Sequence, residues 1–253
     1  MNKSTDKEPP QAESDKSYLS LFLEHLDELR KRLVRTILFL IGGMIVCLIF
    51  SEQLLEVLTD AFEVADRSQL ALLYPTEGFV VRLKVAFVGG LFLTSPLWFA
   101  QIWGFVGPGL YANERKAIVP VIAASSVAFI LGALFGYWIL PYGVHYFQSF
   151  ATPEVGVSWS LGRYVDFSLR MLVAFGVVFE MPLIVYAAAR IGVVTTAQLR
   201  KYRRQVIIVV LILSGLITPP DIFTQIVLSI PLIILYETGI LLASIAIRRR
   251  NRS

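Results

Sequence analysis

Six long apolar runs, separated by short polar or charged segments, constrain the fold of this chain more than any other feature. Hydrophobic residues make up 56% of its 253 residues and charged residues only 17%, a balance typical of a membrane protein. A helix that crosses a bilayer needs about 20 mostly apolar residues. The sequence therefore predicts an all-α polytopic membrane protein with six transmembrane helices. The predicted spans cover about residues 33–50, 79–105, 117–142, 167–189, 203–217 and 222–247.

The segments outside the spans are short. Residues 1–17 are polar and contain adjacent prolines, so we expect a disordered cytoplasmic tail there. Residues 18–253 are expected to form a single transmembrane domain. An apolar repeat over residues 52–65 predicts an amphipathic helix on the far membrane surface. A cleavable signal peptide is not expected, because the first apolar run starts too late.

Span 5 is unusually short. Residues 206–217 supply only 12 uncharged residues, and at about 1.5 Å per residue they cover roughly 18 Å of a core about 30 Å thick. Basic clusters at residues 200–204 and 248–252 flank spans 5 and 6, and both should be cytoplasmic, so the chain must cross twice between them. We expect the bilayer to thin locally around span 5.

The distribution of basic residues predicts the orientation. Of the 23 lysines and arginines, 18 fall in segments on the side of the N-terminus and five on the far side. Cytoplasmic loops carry the excess of basic residues, so both termini are predicted to be cytoplasmic. The lysines and arginines lie at the predicted membrane edges, and no aromatic surface for stacking accompanies them. Nucleic-acid binding is therefore not expected.

Catalytic chemistry is not expected. The two histidines, His25 and His145, fall on opposite sides of the predicted membrane, so they cannot share a metal ion. Zinc-protease, nucleophile-elbow and phosphate-loop motifs do not occur. We therefore predict no enzyme activity, no metal and no cofactor, and any work must draw on a membrane gradient or on a partner.

Three acidic residues are candidates for function. Glu28 lies on the charged face of an amphipathic helix over residues 24–35, where it is either a binding group or simply paired with Arg32 at i,i+4. Glu180 falls near mid-membrane, where a carboxyl is costly, so it is either functional or hydrogen-bonded to a neighbouring helix. Glu237 is a weaker candidate of the same kind. Arg170 is interpreted as an interfacial anchor.

Polar groups near the start of span 6 leave two alternatives open. Thr218 and Gln225 could bind another helix, or they could cap a helix end.

Four sequence blocks, in order, resemble the TatC family of twin-arginine protein translocases. The first is His25-Leu-Asp-Glu-Leu-Arg-Lys-Arg32. The second runs from Ser95-Pro96 to Arg115. The other two are Phe175-Gly-Val-Val-Phe-Glu-Met-Pro182 and Thr218-Pro-Pro-Asp221.

The resemblance implies a receptor for signal peptides with two consecutive arginines. It implies a glove-like concave bundle in the bacterial inner membrane that exports folded proteins with the proton gradient. Glu28 and Glu114 would receive the arginines, and Glu180 would face the concave cavity. The implied partners are TatA- and TatB-type single-span subunits, contacted at Thr218 and Gln225, and other TatC copies. The residues that would support the receptor site are Arg30, Phe105 and Pro108.

One alternative is a proton-coupled secondary transporter with Glu180 as its proton site. Such transporters usually contain internal repeats, and we find no convincing repeat between residues 33–142 and 167–247. A structural scaffold for other membrane proteins is a third class, and it would leave Glu28 and Glu114 dispensable.

Overall fold

The structure of the protein is a computed structural model that describes residues 10–60, 70–110, 118–149, 159–217 and 222–250. Within these ranges the chain is almost entirely helical. The helices are α1 (Pro10–Ile49), α2 (Ser51–Asp60), α3 (Glu77–Leu93), α4 (Ser95–Leu110), α5 (Ile118–Gln148), α6 (Leu161–Phe179), α7 (Met181–Ile191), α8 (Thr196–Lys201), α9 (Arg203–Ile217) and α10 (Ile222–Arg250). Two short strands, β1 (Leu70–Ala71) and β2 (Trp159–Ser160), pair in parallel on one side of the bundle.

Several helices are long and apolar enough to cross a membrane. Within the described residues there are four such stretches, and a fifth is formed if the bent pair α3–α4 counts as one span. The four are Leu23–Ile49, Val119–Gln148, Leu161–Arg190 and Leu228–Ile245. The prediction of a helical multi-pass membrane protein is therefore confirmed. Helix α9 has 15 residues, which is about 22 Å of helix, so it stays well short of a full bilayer core.

The predicted span over residues 79–105 is broken rather than continuous. Helices α3 and α4 meet at Thr94 with a bend of 57°. Pro96 explains the break, because proline has no N–H and its ring clashes with the carbonyl four residues earlier in a continuous helix. The Gly90 carbonyl accepts both the Thr94 N–H (3.0 Å) and the Thr94 hydroxyl (2.7 Å) at the break.

A second interruption occurs within the predicted span over residues 167–189. Helix α6 ends at Phe179, Glu180 links the two helices, and α7 begins at Met181. Pro182 lies in the first turn of α7, where a missing N–H is tolerated. The break places Glu180 at a helix junction inside the bundle.

The first helix starts earlier than expected. Helix α1 begins at Pro10, so residues 10–17 of the expected disordered tail are helical. The described part of the expected surface helix over residues 52–65 is α2 (Ser51–Asp60), and residues 61–65 lie outside the described residues. The last carbonyls of α2 are capped by tyrosines, because the Tyr164 hydroxyl donates to Leu58 O (2.7 Å) and the Tyr137 hydroxyl to Val57 O (2.8 Å).

Close helix contacts hold the bundle together. Helix α1 packs along α3, α5 along α6, and α7 along α10. Where α1 crosses α3, a Cβ on Gly43 would lie 2.9 Å from the Gly90 carbonyl oxygen, so only glycine permits this approach. Small residues at such crossings are the usual means by which helices pack in a membrane.

Polar contacts link the N-terminal half of α3 to neighbouring helices. Glu77 accepts hydrogen bonds from the Ser160 hydroxyl (2.6 Å) and the Gly162 N–H (2.7 Å), which ties α3 to the start of α6. The Lys84 ammonium pairs with Asp166 at 2.6 Å and adds a second link between the same helices. Arg82 approaches Glu52 of α2 at 3.9 Å.

Candidate functional site

The Glu28 carboxylate lies at the amphipathic end of α1. Its Oε1 accepts two hydrogen bonds from Arg32, one from Nε (2.9 Å) and one from Nη2 (2.6 Å). The side chains of Glu28 and Arg32 are 40% and 24% exposed. The i,i+4 pairing that the sequence left open is therefore present, and Glu28 is still accessible from solvent.

The Arg32 guanidinium reaches across to helix α4. Its Nη1 donates to the Gln101 carbonyl at 3.5 Å, a weak contact between residues 69 positions apart. Gly104 faces the same guanidinium, and a Cβ at that position would lie only 3.1 Å from Arg32 Cζ. Arg32 is thus enclosed by Glu28 on its own helix and by the backbone of α4.

An aromatic contact adds to this cluster. The His25 and Phe105 rings stack with centroids 4.3 Å apart and planes 21° apart. His25 lies three residues before Glu28 and therefore on the same side of α1. Phe105, expected from the resemblance to support the site, is thus beside the helix face that carries Glu28.

The other expected members of the site are placed differently. Arg30 is exposed, and at two residues from Glu28 it lies on another side of α1. Helix α4 includes Pro108, but the side chain of Pro108 is outside the described part of the chain. Glu114 and Thr218 also lie outside the described residues.

Sequence reasoning missed Gly104. It treated Gln101 only as part of the second sequence block, and His25 only as part of the first block and as a possible metal ligand. A faint signal for His25 existed, since it precedes Glu28 by one helical turn.

The Glu180 carboxyl lies at the junction of α6 and α7. The residue is only 6% exposed, and its Oε1 has no hydrogen-bond partner within the described residues. The Ser125 hydroxyl of α5 lies beside the carboxyl. Ser125 Oγ in turn accepts a hydrogen bond of 2.8 Å from the Trp103 indole N–H of α4. Glu180 is therefore buried in a small polar group inside an otherwise apolar bundle.

One short stretch of α4 contacts both carboxyl regions. Gln101, Gly104 and Phe105 face α1 and the Glu28 cluster. Trp103, between them in sequence, points to Ser125 and the Glu180 region. The two candidate carboxylates therefore share one supporting helix.

An apolar groove of about 820 Å³ opens between α1, α3 and α6. Lys84, Asp166 and Arg170 supply its charged groups, and Val177 and Val178 lie among its lining residues. Glu180 follows these valines in sequence but is not among the residues that line this groove.

Two further predicted residues find partners within the chain. The Gln225 amide donates to Leu211 O at 2.7 Å, which links the facing ends of α9 and α10. Glu237 pairs with Arg203 at 2.6 Å near the opposite end of the same two helices. Both contacts tie the short α9 to α10.

These elements define a helical multi-pass membrane protein with a charged cluster at one end and a buried carboxyl within the bundle. Residues 24–231 match the family described as Sec-independent protein translocase protein (TatC). The chain belongs to the TatC family, which confirms the resemblance drawn from its motifs.

Relatives support this assignment over most of the chain. A Sec-independent protein translocase protein TatC from Desulforapulum autotrophicum is 38% identical over 92% of this chain and 87% of its own length. One from Aquifex aeolicus is 35% identical over 90% of this chain and 96% of its own. A solved structure titled twin arginine translocase receptor TatC in DDM superposes with a TM-score of 0.79. It is 32% identical and covers 87% of this chain and 99% of that one.

Family membership decides between the alternatives that the sequence left open. A protein translocase subunit is supported, and a proton-coupled secondary transporter is not favoured. The apolar helices of a TatC family member fit a multi-pass inner-membrane protein.

Proposed function

We propose that this chain is the signal-peptide receptor and core subunit of a twin-arginine translocase, which exports folded proteins across the bacterial cytoplasmic membrane. The observation that carries the proposal is the Glu28 carboxylate, which is 40% exposed and held against α4 through Arg32. Carboxylates bind arginine through paired, planar N–H contacts that lysine cannot reproduce. A carboxylate in this position suits recognition of arginines rather than of positive charge in general.

A second carboxylate, Glu114, completes the proposed reading of two consecutive arginines. Arg30, Phe105 and Pro108 are proposed as supports of this site. The stacking of Phe105 on His25 favours that role for Phe105, because it joins the end of α4 to the helix that carries Glu28.

The proposed topology has six crossings, with both termini cytoplasmic and a concave, glove-like bundle. The basic residues that flank α9 and α10 support two separate crossings by these helices. On this topology residues 18–253 form a single membrane domain, and the Glu28 cluster faces the cytoplasm, where signal peptides arrive.

Glu180 is proposed as the membrane-embedded polar group of the translocase, and transport is proposed to use the proton gradient. Thr218, which follows α9 in the sequence, and Gln225, in the first turn of α10, are proposed contacts for TatA- and TatB-type single-span subunits. Further copies of the chain are proposed to join the same complex.

Binding of a synthetic twin-arginine signal peptide to the detergent-solubilised protein tests the receptor role. Wild type, Glu28→Ala and Glu114→Ala are each titrated with an Arg-Arg peptide and a Lys-Lys peptide. We expect wild type to prefer Arg-Arg by about tenfold or more, because a hydrogen bond to a charged group contributes about 1.5–3 kcal/mol. Both substitutions should remove the preference.

Asp27→Ala is the matched control, because it removes the same charge from the adjacent position of α1. Asp27 pairs with Lys31 at 2.7 Å, also at i,i+4, but is more exposed than Glu28. It should leave the preference intact. A wild type without preference, or a preference that survives both glutamate substitutions, contradicts the receptor role of these carboxylates.

A further inference from the structure

A guanidinium already contacts the carboxylate that is proposed to receive arginines. Arg32 places two N–H groups on Glu28 Oε1, and within the described residues Oε2 accepts no hydrogen bond. Two roles are conceivable for such a resident guanidinium. It either competes with the incoming arginine or fixes the carboxylate for it, and the two roles predict opposite effects of removing Arg32.

The surroundings of Arg32 favour fixation. The side chain is 24% exposed, and its Nη1 points at the Gln101 carbonyl of another helix. Gly104 leaves the space that the guanidinium fills, since a side chain there would collide with it. Displacing Arg32 would break its contact with the Gln101 carbonyl and leave the space beside Gly104 unfilled, and both losses oppose exchange.

A neighbouring ion pair shows what spacing alone produces. Asp27 and Lys31 form the same i,i+4 arrangement one position earlier, at 2.7 Å. Their side chains are 55% and 65% exposed. The Glu28–Arg32 pair differs from it in its burial and in its contact with α4.

We propose that Arg32 is a positioning residue of the receptor site, which locks Glu28 Oε1 and directs Oε2 toward the incoming arginine. The inference rests on the proposed receptor function and deepens it. Gly104 takes part by admitting the guanidinium, so the backbone of α4 sets the orientation of a carboxylate on α1.

The test measures Arg-Arg and Lys-Lys peptide affinities for wild type, Arg32→Gln and Lys31→Gln. The two substitutions remove the same charge from adjacent positions, so their difference isolates the positioning of Glu28. We expect Arg32→Gln to weaken Arg-Arg binding about tenfold relative to Lys31→Gln and to shrink the Arg-Arg preference. A general disturbance of the fold would weaken both peptides equally.

Two further variants separate geometry from charge. Arg32→Lys keeps the charge but loses the forked N–H geometry, so it should restore little of the preference. Gly104→Ala keeps both charged residues and displaces the guanidinium, so it should reduce the preference in the same direction as Arg32→Gln. Thermal unfolding of each variant reports whether it is folded.

The outcomes distinguish the inference from the function on which it rests. Tighter Arg-Arg binding by Arg32→Gln would make Arg32 a competitor and overturn the inference. The inference would also be overturned if Arg32→Gln bound both peptides with the same affinities as Lys31→Gln while Glu28→Gln still lost the Arg-Arg preference. A wild type without any Arg-Arg preference would instead overturn the receptor function, and the role of Arg32 with it.

Discussion

Two of the carboxylates that sequence analysis singled out, Glu28 and Glu180, lie in opposite environments. Glu28 is 40% exposed and its charge is balanced by Arg32 on the same helix. Glu180 is 6% exposed, at a helix junction, and its Oε1 has no partner within the described residues. An exposed, paired carboxylate can present an oxygen to a cationic ligand at little cost. A buried, incompletely paired carboxylate lowers the free energy of unfolding, so a gain in stability does not explain why a glutamate occupies this position.

The comparison also shows how one helix serves both environments. Residues 101–105 of α4 contact Arg32 and His25 on one side and Ser125 on the other. Both carboxylates lie near helix α4, but one is exposed and paired and the other is buried. Substitutions at the two positions should therefore change the free energy of unfolding with different signs and sizes.

The largest effect on stability is expected at Glu180. Replacing it by leucine removes a buried oxygen without a partner, so the free energy of unfolding should rise by about 1–3 kcal/mol. Reversible unfolding in mixed micelles measures the change. Glu180→Gln is the matched control, because it keeps the size and polarity of the side chain and should not stabilise. A leucine variant less stable than wild type would show that the carboxyl is fully satisfied in the folded protein.

An effect of similar size and opposite sign is expected at the neighbours of Glu180. Ser125→Ala leaves the buried Trp103 N–H without its acceptor, which should lower the free energy of unfolding by about 1–3 kcal/mol. Trp103 is replaced by phenylalanine and not by histidine, because histidine would add a second titratable group near Glu180. The double variant Ser125→Ala with Trp103→Phe removes donor and acceptor together, so the second substitution should add less than its separate effect. Simple additivity of the two would contradict a direct hydrogen bond between them.

The smallest effects are expected at the exposed pairs of α1. Glu28→Gln should change the free energy of unfolding by at most about 1 kcal/mol, because partly exposed ion pairs contribute little. Asp27→Asn should cause no measurable change, because the Asp27–Lys31 pair is more exposed still. The same unfolding assay ranks both variants. A large loss of stability in Glu28→Gln would mean that this carboxylate serves mainly to hold α1 against α4.

The sequence predicted the helical membrane class because apolar run length is a local property. It also predicted a costly carboxyl within an apolar run at Glu180, and the residue is 6% exposed in the structure. It predicted one continuous span where α3 and α4 are separate helices, although Pro96 was visible, because proline kinks some helices and ends others. Whether a given proline does one or the other depends on packing.

Tertiary contacts account for what sequence reasoning could not find. The i,i+4 pairing of Glu28 with Arg32 follows from helical periodicity and was anticipated as an alternative. The enclosure of Arg32 by Gln101 and Gly104 joins residues about 70 positions apart, and no local pattern marks it. The same holds for Trp103 with Ser125 and for Arg203 with Glu237.

A double-mutant cycle between peptide and protein tests the central claim most directly, namely that arginine is recognised at Glu28 and not at Glu180. The peptide change is Arg-Arg to Lys-Lys, and the protein changes are Glu28→Gln and, separately, Glu180→Gln. We predict a coupling free energy of about 1.5–3 kcal/mol with Glu28 and less than about 0.5 kcal/mol with Glu180. Coupling that is absent at Glu28, or larger at Glu180, would contradict the account.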